Sequence, residues 1–331
     1  MSDNVPPGLI LLHKRPGITS FDALRDIKRA LNTGKAGHTG TLDKFAEGLL
    51  LVLTGRALKL SQWFTHLDKQ YEGIMCFGAE TDTLDPEGAV IANAPLPDRG
   101  AVESALVQFS GEIEQAPPAY SAIHIDGERA SALARRGDAP VMRKRPVHIH
   151  RLELLSWEPP HARIFVHCSS GTYIRSLARD IALAAGSRAY LTALVRTRVA
   201  GFKLEDAKIM GGPSDFSDTA AFTWPTPYRI CSSTRSPVRV PFSGGSGEDV
   251  CIHPIDRNVF HSIGITCLDI SPADAAKIRT GKPLELVLHS VLQNVLQNVV
   301  ALFSGDELIA IIERSDRSDN QWKYGYVYAH N

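Results

Sequence analysis

The sequence predicts an α+β fold. Three features carry that reading: isolated apolar strands, two helical segments with apolar residues on one face, and paired strand-like runs joined by turn residues. Leu9 to Leu12 read as the first strand. Thr19-Ser20-Phe21-Asp22 then fits a capping box and opens a helix with Phe21, Leu24, Ile27 and Leu31 on one face. Glu72 to Ala79 alternate like a strand, and a turn at Asp85-Pro86-Glu87-Gly88 leads into Val90-Ile91 as the return arm of a hairpin. Val102, Ala105, Leu106 and Phe109 mark a short helix ended by Gly111. Strands are expected at 147–155 and 162–168, followed by a helix whose inner face is Ile174, Leu177, Ile181 and Ala185 and which stops at Gly186.

At 331 residues with 44% hydrophobic content, the chain has material for two domains and a substantial core. The stretch 232–247 is rich in Ser, Gly and Pro and reads as an insertion or linker. We therefore expect one domain over 1–262 and a second, small β module over 263–331, with apolar strands at 299–303 and 308–312. The repeated Val-Leu-Gln-Asn at 291–298 is too short for a solenoid.

No apolar run approaches the roughly 20 residues of a membrane helix, and the first residues lack the pattern of a signal peptide, so cytoplasmic residence is expected. Cys76, Cys168, Cys231, Cys251 and Cys267 are scattered singly, which points to reduced thiols and to neither zinc nor redox chemistry. Acidic and basic residues balance at 36 each. Their distribution is uneven: from Arg129 to Arg151 seven basic residues (Arg129, Arg135, Arg136, Arg143, Lys144, Arg145, Arg151) face one acidic residue, Asp138. Such a cluster suits phosphate neutralisation on RNA.

The most informative stretch is Gly37-His38-Thr39-Gly40-Thr41-Leu42-Asp43, a lone carboxylate in a loop punctuated by glycine. Glycines 34, 37, 40 and 48 are expected to let the backbone take positive φ and approach a ligand closely, and Thr39 and Thr41 to hold the turn by local hydrogen bonds. His38 has only Asp43 nearby at ligand spacing, so no metal site is read here. Gly34-Lys35-Ala36 fails the phosphate-loop pattern, because Arg29 and Ala36 occupy the first glycine and the Ser/Thr positions. No cofactor is expected.

This string, continued by Ala46-Glu47-Gly48-Leu49-Leu50, closely resembles the signature of the TruB family of tRNA pseudouridine synthases. The resemblance runs in family order through Lys14-Arg15-Pro16-Gly17-Ile18-Thr19-Ser20, Lys69-Gln70-Tyr71, Thr81-Asp82-Thr83-Leu84-Asp85 and Ser169-Ser170-Gly171-Thr172-Tyr173-Ile174-Arg175. It implies the pseudouridine synthase fold, with a mixed, mainly antiparallel central sheet flanked by helices. The segment from Leu268-Asp269-Ile270-Ser271 to Arg279-Thr280-Gly281-Lys282-Pro283 looks like the opening of a PUA-type RNA-binding domain, a small β-barrel.

By resemblance, Asp43 is the catalytic carboxylate that converts uridine to pseudouridine, either attacking the sugar or assisting departure of the base. Either role needs its ionised form, and Arg175 is the family's partner for it. Tyr71 corresponds to the tyrosine that stacks on the target base and serves proton transfer. Tyr173 and Leu194 match the walls of the uracil pocket, and His38 the residue that fills the space left by the extruded nucleotide. The implied substrate is uridine-55 in the T stem-loop of tRNA, flipped out of its stack. A monomer acting without guide RNA is expected.

Two departures stand out. Lys44 occupies the position of the family's proline after the aspartate, which restores an N–H and sets a cation where it would compete with Arg175. Ser170 replaces a common lysine and removes a phosphate contact. The competing reading is therefore a catalytically weakened RNA-binding or tRNA-folding protein on the same fold.

Overall fold

The computed structural model describes residues 5–125, 127–138, 141–209, 238–240, 250–292, 295–315 and 321–328. Most of the polar stretch at 232–247 lies outside the described residues. Within it only Val238–Val240 is described, as a strand antiparallel to Val250–Ile252.

The centre is a mixed sheet. Its main path runs Lys208–Ile209, Gly8–Lys14, Glu47–Thr54, Ala189–Val199, Lys69–Phe77, His161–Cys168, Arg145–Glu158, Gly111–Gln115. Two neighbouring pairs are parallel, Gly8–Lys14 with Lys208–Ile209 and Glu47–Thr54 with Ala189–Val199, and the others on this path are antiparallel, as expected.

The apolar strands Gly8–Lys14 and Glu47–Thr54 are buried on both faces. Ile10, Leu12, Leu50 and Val52 pack beneath the helix Ser20–Ala30. Leu9, Leu11, Leu49, Leu51 and Leu53 face the opposite way, against Phe64, Phe260 and Phe303. The helices Arg99–Gln108 and Ile174–Ala184 cover a separate core around Met75, Ile164 and Leu191.

The capping box forms as read, with Thr19 accepting from the Asp22 amide and Asp22 accepting from that of Thr19. Phe21, however, is 67% exposed. The inward set is Ser20, Ala23, Leu24, Ile27 and Leu31, because Ser20 is turned in to bond Leu42. The hairpin also differs. Lys69–Phe77 belongs to the central sheet, and at Gly78 (φ +98°) the chain leaves it to form a separate two-stranded ribbon, Ala79–Thr81 with Val90–Asn93. The loop between these arms reaches the candidate site.

At the C-terminal end a four-stranded sheet, Thr266–Asp269, Val299–Ser304, Glu307–Arg314 and Trp322–Val327, carries the expected apolar strands. One face packs on the helix Pro272–Arg279 and on Leu284 and Leu288, the other on the Phe64/Phe260 core. Trp63 Nε1 donates to Glu313 Oε1 at 3.0 Å across that boundary. Among the described residues no helix is long and apolar enough to cross a membrane.

Candidate active site

Asp43 ends a loop that is clamped from outside by three buried polar side chains. Ser20 Oγ accepts from the Leu42 amide at 2.8 Å and donates to the Leu42 carbonyl at 3.0 Å. Arg196, 2% exposed, donates to the carbonyls of Gly40 at 3.0 Å, Thr41 at 3.4 Å and Leu49 at 2.7 Å. Lys14, 1% exposed, donates to the carbonyls of Ala46 at 2.6 Å, Ile18 at 2.8 Å, Arg15 at 3.0 Å and Lys44 at 3.4 Å. Burial pushes the Lys14 ammonium down to about 8, against the pull of Asp43. These clamps replace the local threonine bonds expected for the turn. Of the four glycines 34, 37, 40 and 48, only Gly48 takes a positive φ, +117°.

Arg175 is brought to Asp43 by the first turn of the helix Ile174–Ala184. Its Nη2 donates to Asp43 Oδ1 at 3.1 Å, and its Nε makes an ion contact with Asp43 Oδ2 at 2.9 Å, off the line of the N–H. Both Nη nitrogens are fully employed. Nη1 donates to the Thr83 carbonyl at 2.7 Å and to Asp85 Oδ2 at 3.1 Å, and Nη2 also donates to the Tyr120 carbonyl at 3.0 Å. The Arg175 side chain is 4% exposed and that of Asp43 37%, so a buried cation presents a carboxylate that solvent and ligand can reach.

Asp85 is the second anion on Arg175, and its side chain is buried. Desolvation raises its carboxyl above the usual range, opposed by the hydrogen bond from Thr83 Oγ1 at 2.6 Å and by Arg175. Lys44 does not share Asp43 with Arg175. Its Nζ pairs with Glu87 Oε1 at 2.9 Å.

Tyr71, Leu194, Leu42 and Ile174 share one apolar cluster. Burial pushes the Tyr71 hydroxyl up to about 12, with the positive charge of Arg196 acting against the rise. Tyr173 caps the helix that carries Arg175. Gln115 fixes it by accepting from its amide at 2.8 Å and donating to its carbonyl at 3.1 Å. The Arg145 guanidinium lies 5.3 Å from the Tyr173 ring centroid, which brings one member of the basic cluster to this site. Others are engaged elsewhere, Arg136 with Glu128 and Arg151 with Glu153. Burial, with Arg196 and Lys28, lowers the His38 pKa, and its buried Nδ1 has no hydrogen-bond partner.

Sequence reasoning missed Ser20, Lys14, Arg196 and the role of Asp85. All but Arg196 stand inside the quoted motif blocks, and Arg196 lies two residues beyond Leu194. Their reach to the loop depends on strand pairing, as in Arg196 opposite Gly48 and Tyr71.

Residues 28–174 match the model of the TruB family pseudouridylate synthase N-terminal domain. The chain is similar to tRNA pseudouridine synthase B of Treponema pallidum, at 35% identity over 84% of this chain and 86% of the relative. It is also similar to tRNA pseudouridine synthase B of Burkholderia lata, at 45% identity over 70% of this chain and 73% of that one. Among solved structures, a Cbf5-Nop10-Gar1 complex aligns with a TM-score of 0.61 and 23% identity, over 97% of this chain and 82% of that chain. An archaeal box H/ACA sRNP Nop10-Cbf5 complex gives the same TM-score at 21% identity, over 98% and 89%. At such identities the likeness concerns the fold. The sequence relatives carry the family: the chain belongs to the TruB family of pseudouridylate synthases.

Proposed function

We propose that this chain isomerises uridine-55 in the T stem-loop of tRNA to pseudouridine, with Asp43 as the catalytic carboxylate. The observation that carries the reading is the contact of the buried Arg175 side chain with both oxygens of a partly exposed Asp43, beside the apolar cluster that holds Leu42, Tyr71 and Leu194. The relatives named tRNA pseudouridine synthase B supply the substrate class.

The reaction breaks the N-glycosidic bond, turns the base while it stays bound, and joins C5 to C1′ of the ribose. Asp43 either attacks the sugar or stabilises positive charge on it as the base departs. Arg175 holds it aimed through contacts to both carboxylate oxygens. Tyr71 stacks on the base and Leu194 and Tyr173 wall the pocket. Extruding the uridine costs on the order of a few kcal/mol, offset by stacking and phosphate contacts. The His38 ring, its pKa lowered by burial, fills the vacated space and packs against neighbouring bases. Arg145 beside Tyr173, and a PUA-type C-terminal module over 263–331, contact the RNA backbone.

The weakened-enzyme reading depends on Lys44 disturbing Asp43. The Lys44 pair with Glu87 weighs against it. The test is tritium release from T-arm RNA labelled at uridine C5, with purified protein and no guide RNA. Wild type releases tritium and Asp43→Asn does not, while both bind the RNA. Background release by wild type that still binds would restore the binding-protein reading.

A further inference from the structure

Away from Asp43, the central sheet carries three imidazoles in a row. The ring centroids of His148 and His150 are 4.7 Å apart, and those of His150 and His167 4.6 Å. Asp68, the residue before the strand Lys69–Phe77, has its Oδ2 3.1 Å from His150 Nε2. One ligand atom from each of Asp68, His150 and His167 lies within 4.8 Å of the other two.

Strand register explains the grouping. Tyr71 pairs with Val166 and both point into the core beneath the helices, so the next pair, Gln70 and His167, points to the opposite face. On the neighbouring strand a register shift between Ile149 and Arg151 makes His150 the extra residue of a bulge. That brings it alongside His148 on the His167 side of the sheet.

We propose that Asp68, His150 and His167 bind a divalent transition-metal ion of the Zn2+ type. Two imidazole nitrogens and one carboxylate oxygen suit Zn2+ and its first-row neighbours and not Mg2+, which prefers an all-oxygen shell. Ligand bonds of about 2.0–2.2 Å around a tetrahedral ion set donors roughly 3.3–3.6 Å apart, so modest side-chain rotations close the triangle. Burial first, then His150 and least Arg198, lower the His167 pKa against the pull of Asp68, and Arg198 itself is tied to the Ala200 carbonyl at 2.6 Å. Solvent completes the shell, since Asp68 and His150 are exposed. The ion clips the start of the Tyr71 strand to the strands Arg145–Glu158 and His161–Cys168. It stands apart from the proposed reaction and takes no part in it. The three ligands are far apart in sequence, which is why spacing alone gave no metal site.

Chelator-stripped full-length protein, titrated with Zn2+ by calorimetry and with Co2+ by visible absorption, tests this. The expected result is one equivalent per chain, weakened more than about tenfold by either His150→Ala or His167→Ala. Zn2+ should also raise the thermal midpoint of wild type and leave that of the double variant unchanged. An equivalent retained at full affinity in the double variant, or none bound by wild type, overturns the proposal. If the variants do not fold, X-ray absorption of the zinc-loaded wild type decides: two imidazoles with oxygen support it, and fewer imidazoles or any sulfur overturns it.

Discussion

Lys44 Nζ lies 2.9 Å from Glu87 Oε1, so the cation that follows Asp43 in sequence is committed to the loop that carries Asp85. Both side chains are about half exposed, and exposed pairs of this kind contribute about 0–1 kcal/mol. Lys44→Ala should therefore lower stability by less than about 1 kcal/mol and change the rate of pseudouridine formation by less than about fivefold. A rate increase of about a hundredfold in Lys44→Ala or Lys44→Pro would show that Lys44 suppresses Asp43 after all.

Arg175 separates two carboxylates that differ in their access to water. Without it, Asp43 can be solvated but Asp85, 5% exposed, keeps an unpaired charge or takes up a proton. Arg175→Ala should cost about 3–5 kcal/mol in urea unfolding and abolish product. Arg175→Lys keeps the charge and loses the fork that spans Asp43, Asp85 and two carbonyls. It should recover part of the stability and little of the activity. Wild-type turnover in Arg175→Lys would reduce Arg175 to a point charge.

Tyr71 keeps its proton throughout neutral pH, since burial pushes its hydroxyl up to about 12. Tyr71→Phe leaves the apolar cluster filled and removes the hydroxyl alone. Activity should fall by about 10²–10⁴-fold, the range of a positioned acid or base, with RNA affinity within about threefold of wild type. Equal losses in affinity and turnover would assign the hydroxyl to binding.

Lys14 gives a pH signature in stability. Its folded value is about 8 and its ordinary value 10.5, so between these the unfolded chain binds a proton that the folded chain has released. Stability from this group therefore rises as pH climbs through that window. Lys69, also brought to about 8 by burial, acts in the same direction. In Lys14→Met the difference in unfolding free energy from wild type should grow from pH 8 to pH 10. A constant difference across that range would mean that Lys14 titrates as an exposed lysine.

What the sequence made legible is what short-range periodicity and a shared motif encode. The Thr19 capping box, the inner faces of the helices around Leu24 and Leu177, and the Asp43–Arg175 contact all follow from such patterns. The Phe21 reading failed because a tertiary demand, the Ser20 clamp on Leu42, rotated the helix face. Lys14 and Arg196 were invisible as site-builders because a cation in an apolar run gives no hint of the carbonyls it will meet. The partner of Lys44 was out of reach for a related reason: adjacency in sequence to Asp43 says nothing about Glu87, which a separate ribbon delivers.

Gly48 is where the loop and the strand behind it become one unit. It sits at φ +117°, and a Cβ there would lie 2.4 Å from the Arg196 carbonyl oxygen and 2.6 Å from the Arg196 amide nitrogen. Both obstacles are backbone and cannot swing aside. Gly48→Ala therefore combines a left-handed backbone with displacement of the residue whose guanidinium holds Gly40 and Thr41. A Cβ at Gly40 instead meets Arg196 Nη1 at 3.6 Å and Lys69 Cε at 3.7 Å, ordinary contacts. Gly48→Ala should cost more than about 3 kcal/mol and Gly40→Ala less than about 1 kcal/mol by urea unfolding. Pseudouridine formation at a temperature where both variants remain folded should also fall far more in Gly48→Ala, because only that change moves the arginine behind Asp43. Equal behaviour of the two variants would mean that Arg196 does not set the loop.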